Sequence, residues 1–130
     1  MEIRRLLIVE DEIELADCLF EYFQGQFDEV YVAHSGPAAI EAFEKGKFSV
    51  IVSDYNLPGM DGLELLRFLR AVGDTTPVVW ISGRAGKEEF REALKEGVFE
   101  FIEKPFQLEK LKEAVESALA FGVNYVKSKR

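Results

Sequence analysis

Five short apolar runs alternate with amphipathic segments along this chain, and this alternation limits the folds open to it more than any other feature. The runs are Leu6 to Val9, Val30 to Ala33, Val50 to Val52, Val78 to Ile81 and Phe99 to Ile102. The first, third and fourth are nearly continuous aliphatic stretches, which is typical of strands covered on both faces. Five strand–helix units predict an α/β fold: a doubly wound, five-stranded parallel sheet with right-handed crossovers and five helices.

The segments between the runs carry apolar residues at helical spacing, which predicts amphipathic helices. They cover residues 12 to 24, a stretch beginning at Ser35, a stretch beginning at Asp61, residues 86 to 96 and residues 107 to 121. Ser35 and Asp61 can cap their helices, and Pro37 suits the first turn of the second helix. We expect one domain over residues 1 to 124, and a short basic tail or the start of a linker over residues 125 to 130.

Composition excludes several classes of protein. The chain has 130 residues, of which 48% are hydrophobic, so a single sizeable core is expected and disorder is not. A formal net charge of -8 argues against direct binding of nucleic acid. No apolar run approaches the ~18 residues of a membrane span, and the first residues do not resemble a signal peptide. We therefore expect a cytoplasmic protein that contacts no membrane.

Some apolar and aromatic residues are predicted to serve the core alone. The single cysteine, Cys18, is expected to be a small buried hydrophobe, and it excludes an intrachain disulfide. Trp80 is expected in a buried strand. His34 is expected in a loop away from the charged residues discussed next. The phenylalanines expected in the core are Phe20, Phe23, Phe27, Phe43 and Phe48.

Four of the five predicted strands are followed directly by residues that include charged or polar side chains. They are Glu10 and Asp11 after the first strand, Asp54 after the third, Ser82 and Gly83 after the fourth, and Lys104 and Pro105 after the fifth. In open α/β sheets ligands bind beyond the carboxyl ends of the strands, so these residues should meet. Three neighbouring carboxylates repel one another unless a cation joins them, and Mg²⁺ prefers such oxygen ligands.

Each of these residues also has an ordinary structural interpretation when it is taken alone. Glu10 or Asp11 suits a helix start, Asp54 can begin a turn, Ser82 can be a loop hydroxyl and Lys104 can be a solvated charge. The complete set at one sheet edge favours chemistry instead. It suits phosphoryl transfer to Asp54, with Mg²⁺ and Lys104 neutralising charge on the transferred group and an aspartyl phosphate as the product.

Four stretches carry a family resemblance. They are LLIVEDE, IVSDYNLPGMDG, VVWISG and EFIEKPF, and with their spacing they cover about residues 4 to 121. In these the chain resembles the CheY-like receiver domain of two-component response regulators. The resemblance implies the flavodoxin-like strand order 2-1-3-4-5. It also implies a phosphorelay role in signal transduction, in which the domain is a phosphoacceptor and not an enzyme.

The resemblance implies a role for each acid of the site. Asp54 corresponds to the phosphoacceptor. Asp11 corresponds to a direct Mg²⁺ ligand together with Asp54 and the backbone carbonyl of Asn56. Glu10 corresponds to the acid that acts through metal-bound water, although aspartate is commoner at that position.

The resemblance also implies the residues that bind phosphate and switch conformation. Ser82 corresponds to the switch hydroxyl, Lys104 to the phosphate-binding lysine, and Phe101 to the aromatic residue that changes rotamer, where tyrosine is frequent. The Lys104–Pro105 peptide bond should be cis. Reorientation of Ser82 and Lys104 would then bias the surface formed by residues 84 to 121.

The implied partners are a sensor histidine kinase or a phosphotransfer protein, and an attached output domain or a separate effector. A phosphorylation-dependent homodimer is left open. Three other functions place different demands on the same residues. An aspartyl-phosphate hydrolase of the haloacid dehalogenase type needs an acid where Asn56 stands. A flavodoxin-like cofactor binder needs a phosphate-cradling loop where Glu10, Asp11 and Glu12 stand. A receiver fold that is never phosphorylated would act only as a docking module.

Overall fold

Strands and helices alternate regularly along the chain, as predicted. The structure, a computed structural model, describes the backbone of residues 3–83 and 87–128 and the side chains of residues 3–83 and 88–120. The elements are β1 (Arg5–Val9), α1 (Ile13–Phe23), β2 (Glu29–Ala33), α2 (Gly36–Glu44), β3 (Val50–Asp54), α3 (Gly62–Ala71), β4 (Val78–Ser82), α4 (Lys87–Glu96), β5 (Glu100–Glu103) and α5 (Leu108–Ser128). Residues 84 to 86 of the predicted output surface lie outside the described residues.

All five strands run parallel in one sheet, in the order β2-β1-β3-β4-β5, which confirms the predicted topology. The register pairs Val9 with Ser53, Asp54 with Ile81, and Ser82 with Glu103. The carboxyl ends of β1, β3, β4 and β5 therefore lie level with one another. This edge of the sheet presents the residues that follow each strand to a common space.

The sheet has a hydrophobic core on each face, because neighbouring residues of a strand point to opposite faces. Leu7 and Val9 of β1 pack into the core beneath α2, α3 and α4, whereas Leu6 and Ile8 pack into the core beneath α1 and α5. The central strands β3 and β4 are buried along their whole length. Their aliphatic composition follows from this double coverage.

Helix starts follow the predicted chemistry at two of the helices. The Ser35 hydroxyl accepts a hydrogen bond from the Ala38 N–H at 3.2 Å, and α2 has a proline in its first turn. Asp61 and Glu64 form a reciprocal capping box at α3, with bonds of 2.8 and 3.3 Å. Helix α1 begins differently, since its N-cap residue, Glu12, makes no capping bond through its side chain.

Two residues of α1 lie outside the core, against expectation. Cys18 is exposed, and Phe20 is 36% exposed. The buried stripe of this helix is formed by Ala16, Leu19 and Phe23, and neither Cys18 nor Phe20 belongs to it.

The other aromatic predictions agree better with the structure. Trp80 is buried, as are Phe23 and Phe48, while Phe27 and Phe43 are half-buried against the two cores. In the described part of the chain, no helix has the length and apolar character needed to cross a membrane.

Candidate functional site

Asp54 is the last residue of β3, and its side chain lies at the floor of the candidate site. The residue is 2% exposed. Its Oδ1 accepts a hydrogen bond from the Asn56 N–H at 3.1 Å. The Tyr55 N–H donates to the Ile81 carbonyl at 2.9 Å, so the sheet extends one residue past the strand. These bonds fix the carboxylate in place and leave Oδ2 to face the site.

Lys104 supplies the positive charge of the site. Its Nζ donates to Asp54 Oδ2 at 2.7 Å and lies 3.5 Å from a carboxylate oxygen of Glu10 and 3.5 Å from one of Glu12. Its backbone N–H donates to the Ser82 carbonyl at 2.9 Å, which fixes the base of the side chain to β4. Burial alone lowers the pKa of Lys104, but the hydrogen bond to Asp54 and the nearby acids raise it above its usual value. The ammonium is therefore charged at neutral pH.

Three carboxylates converge beside this ammonium. Oxygen atoms of Glu10, Glu12 and Asp54 lie within 4.8 Å of one another. Glu10 is fully buried, and its Oε2 accepts a hydrogen bond from the Glu12 N–H at 3.1 Å. Burial raises the pKa of Glu10 to about 7, and the charge of Asp54 adds to this, whereas the Glu12 N–H and Lys104 oppose it. Among the residues that the structure describes, one ammonium thus faces three acids.

A hard divalent cation fits this set of donors. Every converging atom is a carboxylate oxygen, and oxygen is the ligand that Mg²⁺ prefers. Two of these acids, Glu12 and Asp54, border a cavity of about 340 Å³, which is also lined by Asp11, Asn56, Gly83 and Lys104. Asp11 is exposed at this cavity and is not one of the three converging carboxylates, which belong to Glu10, Glu12 and Asp54. The cavity therefore combines an oxygen-rich wall with room for a small anion beside Lys104.

The other predicted residues lie at or near the same edge. Ser82 is buried at the end of β4, next to Gly83 in the cavity wall. Phe101 of β5 is farther away and packs edge-on against Trp80, with ring centroids 5.6 Å apart. The Lys104–Pro105 bond is cis, as predicted. The sheet topology therefore brings together the acids and the lysine, whereas Phe101 is half-buried and packs against the core beneath α2, α3 and α4.

Two residues lie closer to the site than the sequence interpretation placed them. Glu12 had no assigned role, yet its carboxylate belongs to the converging group. Its position, one residue after the acid pair and at a helix start, was the available signal. His34 was expected away from the acids, but its Nδ1 lies 2.9 Å from the Glu10 carbonyl oxygen. The reason is the pairing of β1 with β2, because the Glu10 N–H donates to the Ala33 carbonyl at 2.9 Å.

Comparison with known proteins gives a consistent result. A model of the response regulator receiver domain matches residues 6–116. The chain is 34% identical over 119 residues to an uncharacterized transcriptional regulatory protein, YkoG, of Bacillus subtilis, covering 92% of this chain and 52% of that protein. It is 37% identical over 92 residues to the chemotaxis protein CheY-3 of Vibrio cholerae, covering 69% of this chain and 71% of that one.

A solved structure has the same fold. The crystal structure of a CheY-like response regulator receiver domain protein from Methanospirillum hungatei superposes with a TM-score of 0.88 at 24% identity, covering 95% of this chain and 98% of that one. By contrast, the chain spans about half the length of the curated transcriptional regulators that it matches, 52% of YkoG and 49% of RprY from Bacteroides fragilis.

Proposed function

Because this chain belongs to the response regulator receiver domain family, we propose that it is a phosphorylation switch in which Asp54 accepts the phosphoryl group. Receiver domains serve signalling and are not enzymes in the usual sense. One observation carries the proposal: the Lys104 ammonium lies 2.7 Å from Asp54 Oδ2, beside a cavity of about 340 Å³. A buried carboxylate next to a fixed cation is what in-line phosphoryl transfer to an aspartate requires.

Four residues at this edge of the sheet have a part in this proposal. Asp54 attacks the phosphorus atom, and Lys104 turns from the carboxylate to the oxygens of the arriving phosphoryl group. Ser82, at the end of β4, donates its hydroxyl hydrogen to the same group. Asn56 stands where a hydrolase would need an acid, and an amide cannot protonate a leaving group. The aspartyl phosphate is therefore a stored signal and not a step in rapid turnover.

We propose Mg²⁺ as the cofactor. Asp11, Asp54 and the backbone carbonyl of Asn56 would hold it, and Glu10 would act through water. Three acids facing one ammonium support this assignment, because a divalent cation relieves their repulsion. When bound, the ion supplies positive charge that stabilises the transferring phosphoryl oxygens.

The conformational change extends from the site to the surface of α4. Phosphorylation draws Ser82 and Lys104 towards the new charge, which alters the packing behind them. Phe101 lies between two aromatic rings there, with centroids 5.6 Å from Trp80 and 5.0 Å from Phe90 of α4. A rotamer change of Phe101 would shift α4 and so the surface of residues 84 to 121.

The partners follow from the same chemistry. A sensor histidine kinase or a phosphotransfer protein in the cytoplasm supplies the phosphoryl group. An output domain or an effector protein responds, and the greater length of the transcriptional regulators that this chain resembles supports an attached domain. The net charge of -8 supports a domain that does not itself contact nucleic acid. Two phosphorylated copies could also pair, and the molecular mass in solution before and after phosphorylation would test this.

Labelling by a small phosphodonor tests the proposal. With MgCl₂ and phosphoramidate, intact-protein mass spectrometry should show one added phosphoryl group on the parent and none on Asp54→Asn. Asp17→Asn is the matched control, because Asp17 is an exposed aspartate on α1 and should leave labelling unchanged. Equal labelling of the Asp54→Asn variant would refute the assignment. Absence of labelling in the parent would favour the docking module instead.

A further inference from the structure

Glu12 places a negative charge at the mouth of the cavity. Its side chain is 67% exposed, and its Oε1 lies 3.5 Å from Lys104 Nζ. It also belongs to the group of carboxylates within 4.8 Å of one another that includes Asp54. Any group that approaches Asp54 through this cavity therefore passes close to the Glu12 charge.

The structure of α1 does not explain the position of the Glu12 carboxylate. Glu12 is the N-cap residue of the helix, but its carboxylate makes no capping hydrogen bond. Its main chain makes the local bonds, with the N–H donating to Glu10 at 3.1 Å and the carbonyl accepting from the Ala16 N–H at 2.9 Å. The carboxylate faces Lys104 and the cavity. The position of the Glu12 carboxylate thus favours an interaction with molecules that enter the cavity.

We infer that Glu12 selects among phosphoryl donors by charge, an inference that rests on the proposed function. It disfavours dianionic donors such as acyl phosphates, relative to donors whose leaving group is a protonated nitrogen. The two classes differ by about one unit charge near the Glu12 carboxylate. At roughly 5 Å in a water-like medium, one unit of charge changes a rate constant by about threefold to fivefold. Because Glu12 is exposed, salt should weaken the effect.

The two reactions balance without any further reactant. With phosphoramidate, an Asp54 oxygen forms a bond to phosphorus, the P–N bond breaks, and the protonated nitrogen leaves as neutral ammonia. With acetyl phosphate, the same bond forms, the P–O bond to the acyl group breaks, and acetate leaves with the electron pair. The donors therefore transfer the same group to the same atom and differ in the charge carried past Glu12.

Rate constants for labelling with the two donors provide the test. Acetyl phosphate and phosphoramidate are each used with saturating MgCl₂ on the parent, Glu12→Gln, Glu12→Asp and Glu21→Gln, and labelling is followed by intact mass. Glu12→Gln should raise the acetyl phosphate rate relative to the phosphoramidate rate by about threefold to fivefold. Glu12→Asp keeps the charge and should keep the parent ratio. Glu21→Gln removes an equal exposed charge from α1 and should also keep it.

Four outcomes would overturn the inference. No labelling of the parent by either donor would overturn the proposed function and this inference with it. Normal labelling with an unchanged donor ratio in Glu12→Gln, or an equal change in Glu21→Gln, would overturn the inference alone. A tenfold loss of Mg²⁺ affinity in Glu12→Gln by calorimetry, with both rates falling together, would make Glu12 a metal ligand instead. If high salt shifts the ratio of the acetyl phosphate rate to the phosphoramidate rate in the parent towards the ratio in Glu12→Gln, this would support charge selection.

Discussion

Glu10 is a fully buried acid whose local surroundings oppose its charge. Burial raises its pKa from 4.5 to about 7, and the neighbouring Asp54 carboxylate adds to the effect. The folded protein therefore binds a proton more tightly than the unfolded chain does. Stability of the metal-free protein should fall as the pH rises from about 4.5 to about 7, because the folded state must then give up that proton.

Glu10→Gln should remove this pH dependence. In EDTA at pH 8, the variant should be more stable than the parent by about 1–3 kcal/mol, because the amide carries no buried charge. At pH 4.5 the two should unfold at nearly the same denaturant concentration. Urea titrations at both pH values provide the measurement. The expected effect would be contradicted if the parent were more stable than Glu10→Gln at pH 8.

Gly62 shows how closely the chain packs behind Asp54. A Cβ atom at this position would lie 2.8 Å from Tyr55 Cα and 2.9 Å from the Asp54 carbonyl oxygen, and it would also clash with the Trp80 indole. Two of these contacts are with backbone, which cannot move aside as a flexible side chain can. The absence of a side chain at Gly62 is thus a requirement of the loop that follows β3.

Gly62→Ala should destabilise the protein by about 2–3 kcal/mol, because overpacking of this kind forces backbone shifts. Gly25→Ala is the matched control, since a Cβ there meets no atom within 4 Å. The control should change the free energy of unfolding by less than about 1 kcal/mol. Urea unfolding of both variants measures these changes. Equal losses of unfolding free energy in the two variants would show that the contacts at Gly62 are not tight.

Prediction from sequence succeeded for residues whose position follows from the sheet topology. Asp54 and Lys104 meet because β3 and β5 end at the same edge, and that much follows from strand order. The position of the Glu12 carboxylate does not follow in this way, because it depends on a side-chain rotamer at a loop–helix junction. The exposure of Cys18 was missed for a similar reason, since one residue along a helix turns the side chain by about 100°.

At the scale of elements, α3 connects the site to the rest of the fold. It begins at Gly62, eight positions after Asp54, and its first turn is held by the capping box of Asp61 and Glu64. The loop between β3 and α3 therefore has a fixed end on each side. This arrangement was predictable in part, since the sequence marked Asp61 as a cap but did not mark the return bond from Glu64.

Asp61→Ala should lower stability by about 1 kcal/mol, because it leaves an N–H group at the start of α3 without its acceptor. Asp61→Ser can still accept that bond and should recover most of the loss. Thermal unfolding of the parent and both variants at one pH provides the comparison. If serine and alanine were equally destabilising, the cap would not be the cause.

At the scale of the whole molecule, negative charge dominates. The net charge is -8, and three acids converge at one edge of the sheet with one lysine among them. The alternation of strands and helices was sufficient to predict the α/β class, and the family resemblance supplied the strand order. Neither the pattern nor the resemblance showed how the acids share Lys104, because that arrangement depends on the packed structure.

Addition of MgCl₂ should stabilise the protein against heat. A ligand at a hundred times its dissociation constant adds about 2.7 kcal/mol to the free energy of unfolding. NaCl at matched ionic strength controls for general screening of the -8 charge and should give a smaller gain. The Asp54→Asn variant should gain less from MgCl₂ than the parent does. Equal gains from the two salts would argue against a specific magnesium site.

The exposed thiol of Cys18 has a practical consequence. It is the single cysteine of the chain and lies on the surface of α1, while the single tryptophan, Trp80, is buried in β4. A maleimide acceptor dye would therefore attach at one known place, and the indole would be one known energy donor. The native sequence thus already contains the energy donor and the attachment site for an acceptor dye, which together would measure movement of the sheet relative to α1 when a phosphodonor is added.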